Sequence, residues 1–297
     1  MKTTAGLVLL ATLLALLPAA GRSEPDPRGD LLRRINAERE RLGAPALRLI
    51  QPLNQAAQRH AEEISRSGSL RLEQGSERQV SDWIRKAGYN SHRWTESVTS
   101  SPSDFDQVLH DWRRRDQPTW GSLMDAEVRD LGIGLSRMGG TPLYVFLFAV
   151  PEADHFARTT GGLRDPERVR AEMLAEVNAL RSKAGAPALR MNAALQKAAQ
   201  AHAQDMLERG FFAHKSPGNT TVRERATKAG YKWRNIGENI AEGQKSVDEV
   251  VATWMDSPGH RQNMLEPKFR EIGIGLVTGK GRDGEYRVIW VQNFGAL

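Results

Sequence analysis

The chain has 297 residues, 39% of them hydrophobic, with a formal charge of +6 at pH 7 and no cysteine. The missing thiols exclude a disulfide framework, a thiolate metal site, a cysteine nucleophile and a lipidated cysteine anchor. Its basic residues are scattered among acidic ones, with Arg33-Arg34 and Arg113-Arg114-Arg115 the densest clusters; without a basic stripe interleaved with stacking aromatics there is no nucleic-acid footprint.

In chain order, Lys2, an apolar run over 7–17 and the small residues Ala19-Ala20-Gly21 read as a signal peptide over residues 1–23. The run is shorter than the roughly 20 apolar residues a spanning helix needs, and no second run of that length follows. The expectation is a secreted protein, extracellular or periplasmic, with no stable membrane span. The remainder divides into a domain at 27–153, a linker at 154–165 centred on Thr159-Thr-Gly-Gly162, and a domain at 166–297.

These two domains are copies. Gly43-Ala-Pro-Ala-Leu-Arg48 recurs as Gly185-Ala-Pro-Ala-Leu-Arg190, an offset of 142. At that offset Asn36 meets Asn178, His60 meets His202, Gly68 meets Gly210, Ala87-Gly88-Tyr89 meets Ala229-Gly230-Tyr231, and Trp112 meets Trp254. Past one inserted residue, at offset 141, Leu131-Gly-Ile-Gly-Leu135 meets Ile272-Gly-Ile-Gly-Leu276. A period this long marks domain duplication, not a solenoid. What both copies keep points to fold, and what one copy keeps is a candidate for chemistry.

Each copy opens with a helix, near 28–42 and 167–184, and continues with a second one. Leu195, Ala198, Ala199, His202 and Met206 share a face of the latter, as do Leu53, Ala56, Ala57, His60 and Ile64. Gly68 and Gly210 suit helix C-caps. Ser246-Val-Asp-Glu249 reads as a capping box opening a third helix that buries Val247, Val250, Val251 and Trp254. Pro258 disfavours helix at Ser257, so a Gly259-His260 turn is expected. Strands are expected at 131–137 and 143–150, and at 272–278 and 286–294. Helices followed by hairpin strands imply an α+β fold. Gly273-Ile-Gly275 begins like a dinucleotide fingerprint but lacks the third glycine and the following helix, so it is read as strand.

No His-Glu-x-x-His, Gly-x-Ser-x-Gly or Walker loop is present. The distinctive polar set is His214, Glu238 and His260 in the second copy. The first copy has Leu72 in place of His214, Pro118 or Thr119 near His260, Glu96 for Glu238 and Ser97 for Asn239. His202, kept as His60 on an apolar helix face, is read as a buried, hydrogen-bonded core histidine, and Trp112 and Trp254 as core anchors.

Phe-Phe-x-His (211–214), Gly-Glu-Asn-Ile-Ala (237–241) and Trp-Met-x-Ser-Pro-Gly-His-Arg-x-Asn-Met-Leu (254–265) resemble the motifs of the CAP superfamily, also called the SCP domain. With the closing strands the resemblance covers 167–297, and the first copy resembles the same domain without its signature histidines. It implies α-β-α three-layer sandwiches with antiparallel sheets, and a central cleft of two histidines and two acidic residues. His214, Glu238 and His260 match three of those places; the fourth falls at Ser257, with Asp256 or Glu224 as stand-ins.

Two imidazoles and a carboxylate suit zinc or another divalent cation with an open position. They would equally serve as a polar cleft without metal. Asn239, Ser257 and Asn263 are read as cleft support, the two amides bracing the loops. The leading functional reading is a binding or interaction module of the cell envelope or extracellular space, taking a small lipid, a peptide or an envelope polymer. The first copy would then act as docking surface or intramolecular partner. The alternative is a metal-dependent hydrolase of peptide or envelope polymer, with His214 and His260 holding the ion and Glu238 as base or third ligand; Glu238 and His260 are its catalytic candidates. A third reading is adhesion through the basic surface, weakened by salt.

Overall fold

The computed structural model describes residues 26–70, 76–101 and 104–297. The signal-peptide reading of 1–23 and the position of Leu72 lie outside the described residues. Two compact units emerge, one from the described residues up to Ala87 together with Glu96–Phe148, the other from Gly88–Thr95 with Ala149–Leu297.

The elements of the first copy are α1 (Pro27–Arg41), β1 (Arg48–Leu49), α2 (Gln51–Ser67), α3 (Ser76–Lys86), β2 (Ser91–Ser100), α4 (Phe105–Arg115), α5 (Gln117–Met124), β3 (Asp130–Met138) and β4 (Thr141–Pro151). A short helix α6 (Glu152–Thr159) and a single 3-10 turn (Gly161–Leu163) follow, within the expected linker. Phe156 and Leu163 join the core of the second unit. The second copy comprises α7 (Pro166–Lys183), β5 (Arg190–Met191), α8 (Ala193–Arg209), α9 (Val222–Lys228), β6 (Asn235–Glu242), α10 (Val247–Asp256), α11 (Pro258–Leu265), β7 (Glu271–Lys280) and β8 (Tyr286–Ala296).

The fold is α+β with two domains. The sheets run β1-β3-β4-β2 and β5-β7-β8-β6. β8 pairs antiparallel with both β6 and β7. The two-residue edge strands depart from the all-antiparallel expectation: β1 runs parallel to β3 and β5 to β7. Each edge strand leads into a helix that must cross back over the sheet, which brings its direction into line with the next strand.

Alternation along β8 builds three layers in the second domain. Val288, Trp290 and Phe294 face a core with Met173, Val177, Val250, Trp254 and Met264 from α7, α10 and α11. Ile289 and Val291 face the opposite way, against Ala199, Ala203 and Met206 of α8. Successive strand side chains point to opposite faces, so one strand supplies both layers. The glycines of the Ile-Gly-Ile-Gly run allow the sheet to meet α8 closely: a Cβ on Gly273 would overlap the backbone of Leu195, and one on Gly275 that of Ala199. Gly132 and Gly134 meet Leu53 and Ala57 in the same way, so this run is a packing device in both copies.

α8 starts at Asn192, whose side chain accepts from the N–H groups of Ala194 and Leu195, and stops at Gly210 with φ 68°. Buried arginines tie the helices to the sheet ends in both domains. Arg181 donates to the carbonyls of Pro187 (2.7 Å), Met264 (2.7 Å), Glu266 (3.1 Å) and Phe269 (3.0 Å). Arg39 does the same to Pro45, Leu123, Asp125 and Val128. Burial pushes Arg39 down to about 10, and the like charge of Arg129 acts in the same direction.

Candidate functional site

The polar residues of the second domain arrive from four elements. His214 lies in the loop between α8 and α9, Glu238 and Asn239 on β6, His260 and Asn263 on α11, and Gln292 and Asn293 on β8. In the β6–β8 register Glu238 stands opposite Asn293 and Asn239 opposite Gln292. One correction concerns His260. Helix α10 does end before Ser257, which is extended at φ −93° and ψ 118°, yet a new helix begins at Pro258 in place of the expected turn. Proline at the first helical position has its φ already set and has no N–H to leave unpaired, so it starts α11 while ending α10. Arg181 holds the end of this helix through the Met264 carbonyl.

The capping box at Ser246 also differs from expectation. The Ser246 side chain accepts from the Glu249 N–H at 3.1 Å, but the Glu249 carboxylate accepts from Lys245. A complete reciprocal box opens α9 instead, between Thr221 and Glu224. Glu224 is thereby committed to a helix cap, and Asp256 is exposed at the end of α10. Neither stands in for a fourth cleft carboxylate.

Glu238 is the centre of the site. Its side chain is 2% exposed, while that of His214 is 55% exposed. His214 Nδ1 lies 3.0 Å from Glu238 Oε1, and Arg225 Nη2 donates to Glu238 Oε2 at 2.7 Å. With its amide nitrogen turned to the carboxylate, Asn293 adds a donor 3.1 Å from the same oxygen. A carboxylate paired with a guanidinium is an acceptor, so in the neutral ring Nδ1 of His214 carries the proton and Nε2 presents its lone pair away from Glu238. His202 is fully buried, with Nε2 donating to the Ala213 carbonyl at 3.0 Å and 4.0 Å from Glu238 Oε1.

An amide network joins α11 to β6. Asn239 Nδ2 donates to the His260 carbonyl (3.1 Å) and to Gln292 Oε1 (3.2 Å). Asn263 Nδ2 donates to the Glu238 carbonyl (3.2 Å) and to Asn239 Oδ1 (2.9 Å). Ser257 makes no side-chain cap on α11. Four buried nitrogens around this group have no partner among the described residues: His202 Nδ1, Arg225 Nε, His260 Nδ1 and Gln292 Nε2. His260 is held below its ordinary value, first by partial burial and second because His214 would add like charge nearby. His202 is lowered by burial, partly offset by Glu238.

The expected three-ligand metal set does not fit this arrangement. Both Glu238 oxygens already face cationic or N–H partners, and among the described residues no group of three or more His, Asp or Glu side chains is disposed to hold a metal ion. A cation here would rest on His214 and His260, with Glu238 behind His214 as the carboxylate that orients a ligating imidazole.

The first domain builds the same location from other side chains. Glu96, partly buried, lies 2.6 Å from Nδ1 of the buried His60. Trp83, at the place of Arg225 by the offset of 142, packs against the His60 ring at a centroid distance of 5.9 Å. Thr119 of α5, at the place of His260 by the offset of 141, donates to Ser97 at 3.1 Å. Strand β4 is apolar from Val145 to Val150, whereas β8 carries Gln292 and Asn293. Arg225, Gln292 and Asn293 escape a motif-based reading. The signal that finds them is an arginine replacing a tryptophan between aligned copies, and two amides interrupting an apolar strand.

The sequence model of the Cysteine-rich secretory protein family (CAP) matches residues 32–149 and 174–294. The chain is similar to the uncharacterized protein YkwD of Bacillus subtilis, 41% identical over 117 residues, which is 39% of this chain and 43% of that protein. It thus spans less than half the length of this relative. Among solved structures it is similar to an extracellular protein containing a SCP domain from Bacillus anthracis, at 18% identity and TM-score 0.39, covering 73% of this chain and 71% of that one. It is also similar to an outer surface protein from Borrelia burgdorferi, at 25% identity and TM-score 0.39, covering 44% of this chain and 94% of that one. No helix among the described residues is long and apolar enough to cross a membrane.

Proposed function

The chain belongs to the cysteine-rich secretory protein (CAP) family in both its halves, and on that premise we propose that its second domain is a binding module of the cell envelope or extracellular space. Its ligand, a small lipid, a peptide or a segment of envelope polymer, enters the cleft between His214 and His260. The observation that carries this reading is the contrast at one location: exposed His214 on Glu238 and Arg225 in the second domain, Trp83 over a His60–Glu96 pair whose histidine is buried in the first. A fold that is complete with the second arrangement has no packing need for the first.

A divalent cation such as zinc is part of the same proposal, held by His214 and His260 and completed by the ligand or water. When bound, it would supply Lewis acidity at the cleft. The alternative reading, a hydrolase, is favoured by one feature: an exposed imidazole with its Nδ1 on a carboxylate has the build of a general base. Glu238 would then orient the base, its oxygens already engaged by His214, Arg225 and Asn293.

Calorimetric zinc titration of the purified protein, with His214→Ala and His260→Ala, is the test, alongside a peptide-hydrolysis assay. Zinc binding at one equivalent lost in both variants supports the cation; hydrolysis lost in parallel supports the enzyme. Zinc binding unaffected by either substitution overturns the cleft as its location.

A further inference from the structure

We propose that Arg225 is the positioning residue of this cleft, holding the His214 loop and the Glu238 carboxylate in one geometry. Its guanidinium makes three bonds that converge on the site. Nη1 donates to the Thr220 carbonyl at 2.9 Å, and Nη2 donates to the His214 carbonyl at 3.0 Å and to Glu238 Oε2 at 2.7 Å. Two of these fasten the loop that carries His214, at His214 itself and at Thr220 beside the start of α9. The third fixes the carboxylate that orients the His214 ring. Arg225 is itself aimed by α9, whose first turn is closed by the Thr221–Glu224 capping box.

The fold does not require this arginine. The first domain has Trp83 at the same place, packed on His60. In the second domain Arg225 leaves its Nε buried without a partner among the described residues, a disadvantage that an apolar side chain would avoid. A residue that breaks a packing rule where the duplicate obeys it is kept for the site and not for the core. The proposal rests on the cleft reading above for its consequence in binding, but its geometric core is separate.

The test uses the full chain with Arg225→Met, Arg225→Lys and Arg225→Trp, the last being a side chain this fold already accommodates in the first copy. Long-range ¹H–¹⁵N correlation spectra report the His214 tautomer, and zinc alone is the binding probe. In the wild type the neutral ring is the Nδ1–H form. In R225M and R225W it moves toward the Nε2–H form preferred by free imidazole in water, while R225K restores most of the wild-type signal. Zinc affinity falls about 10- to 100-fold in R225M, as when the groups behind a metal ligand are lost. A His214 ring that keeps the Nδ1–H form in folded R225M and R225W overturns the proposal. Absence of zinc binding in the wild type counts against the cation alone and leaves the tautomer result decisive.

Discussion

In the first domain Glu96 meets His60 directly at 2.6 Å, whereas in the second Glu238 has turned from the equivalent His202, 4.0 Å away, to His214 and Arg225. The strand, the helix and the carboxylate are common to both. What differs is the set of neighbours competing for the carboxylate. With Trp83 above it, the histidine on the core helix is the nearest donor; with Arg225 and His214 present, the stronger charge-assisted partner wins. The same framework therefore makes either a sealed core or an accessible imidazole, according to a few side chains.

Variants at matched positions sharpen this comparison. The largest effect is expected where the copies agree. Trp254 is fully buried and its Nε1 donates to the Ile240 carbonyl at 3.2 Å, so Trp254→Ala should destabilise the second domain by about 3–5 kcal/mol in denaturant titrations. Trp112→Ala should do the same to the first. Next, Arg181→Met and Arg39→Met should each cost about 1–3 kcal/mol by leaving buried carbonyls unpaired. An Arg181 variant that melts normally would break the reading of these arginines as shared fold determinants.

A pH effect should separate the domains. His202 and His260 are both held below their ordinary values in the folded state. Protons then bind the unfolded chain more readily, so the stability they contribute is complete above about pH 6.5 and is lost as pH falls through that value toward the lowered folded ones. Thermal melts between pH 8 and pH 5 should show this loss in the second domain, and a His202→Gln, His260→Gln variant should flatten it. The smallest contrast lies at the start of α5 and α11. Asp116 caps Thr119 at 3.1 Å, so Asp116→Ala should cost about 1 kcal/mol. Ser257, at the same place by the offset of 141, makes no cap, and Ser257→Ala should stay within about 0.5 kcal/mol.

Much of this architecture is legible in the sequence. Helices α2 and α8 follow from one apolar face each, and their αL glycines, Gly68 and Gly210, from the need for positive φ at a helix end. The repeat offset identified His214 and His260 as residues kept by one copy alone. The helix at 258–265 was missed because a proline that ends one helix can begin the next, and only the backbone path distinguishes the two. The parallel edge strands were missed because a two-residue strand has no periodicity.

By itself the amino-acid sequence determined the duplication, the α+β class and the buried helix faces, since each is carried by spacing along the chain, and its motifs carry the family resemblance. Tertiary structure decided what Glu238 does. Its partners come from a loop, a helix and a strand 24, 13 and 55 residues away, and no local pattern couples positions so far apart. Whether a buried carboxylate serves as ligand, base or anchor depends on which donors reach it, and that is settled by how the layers pack.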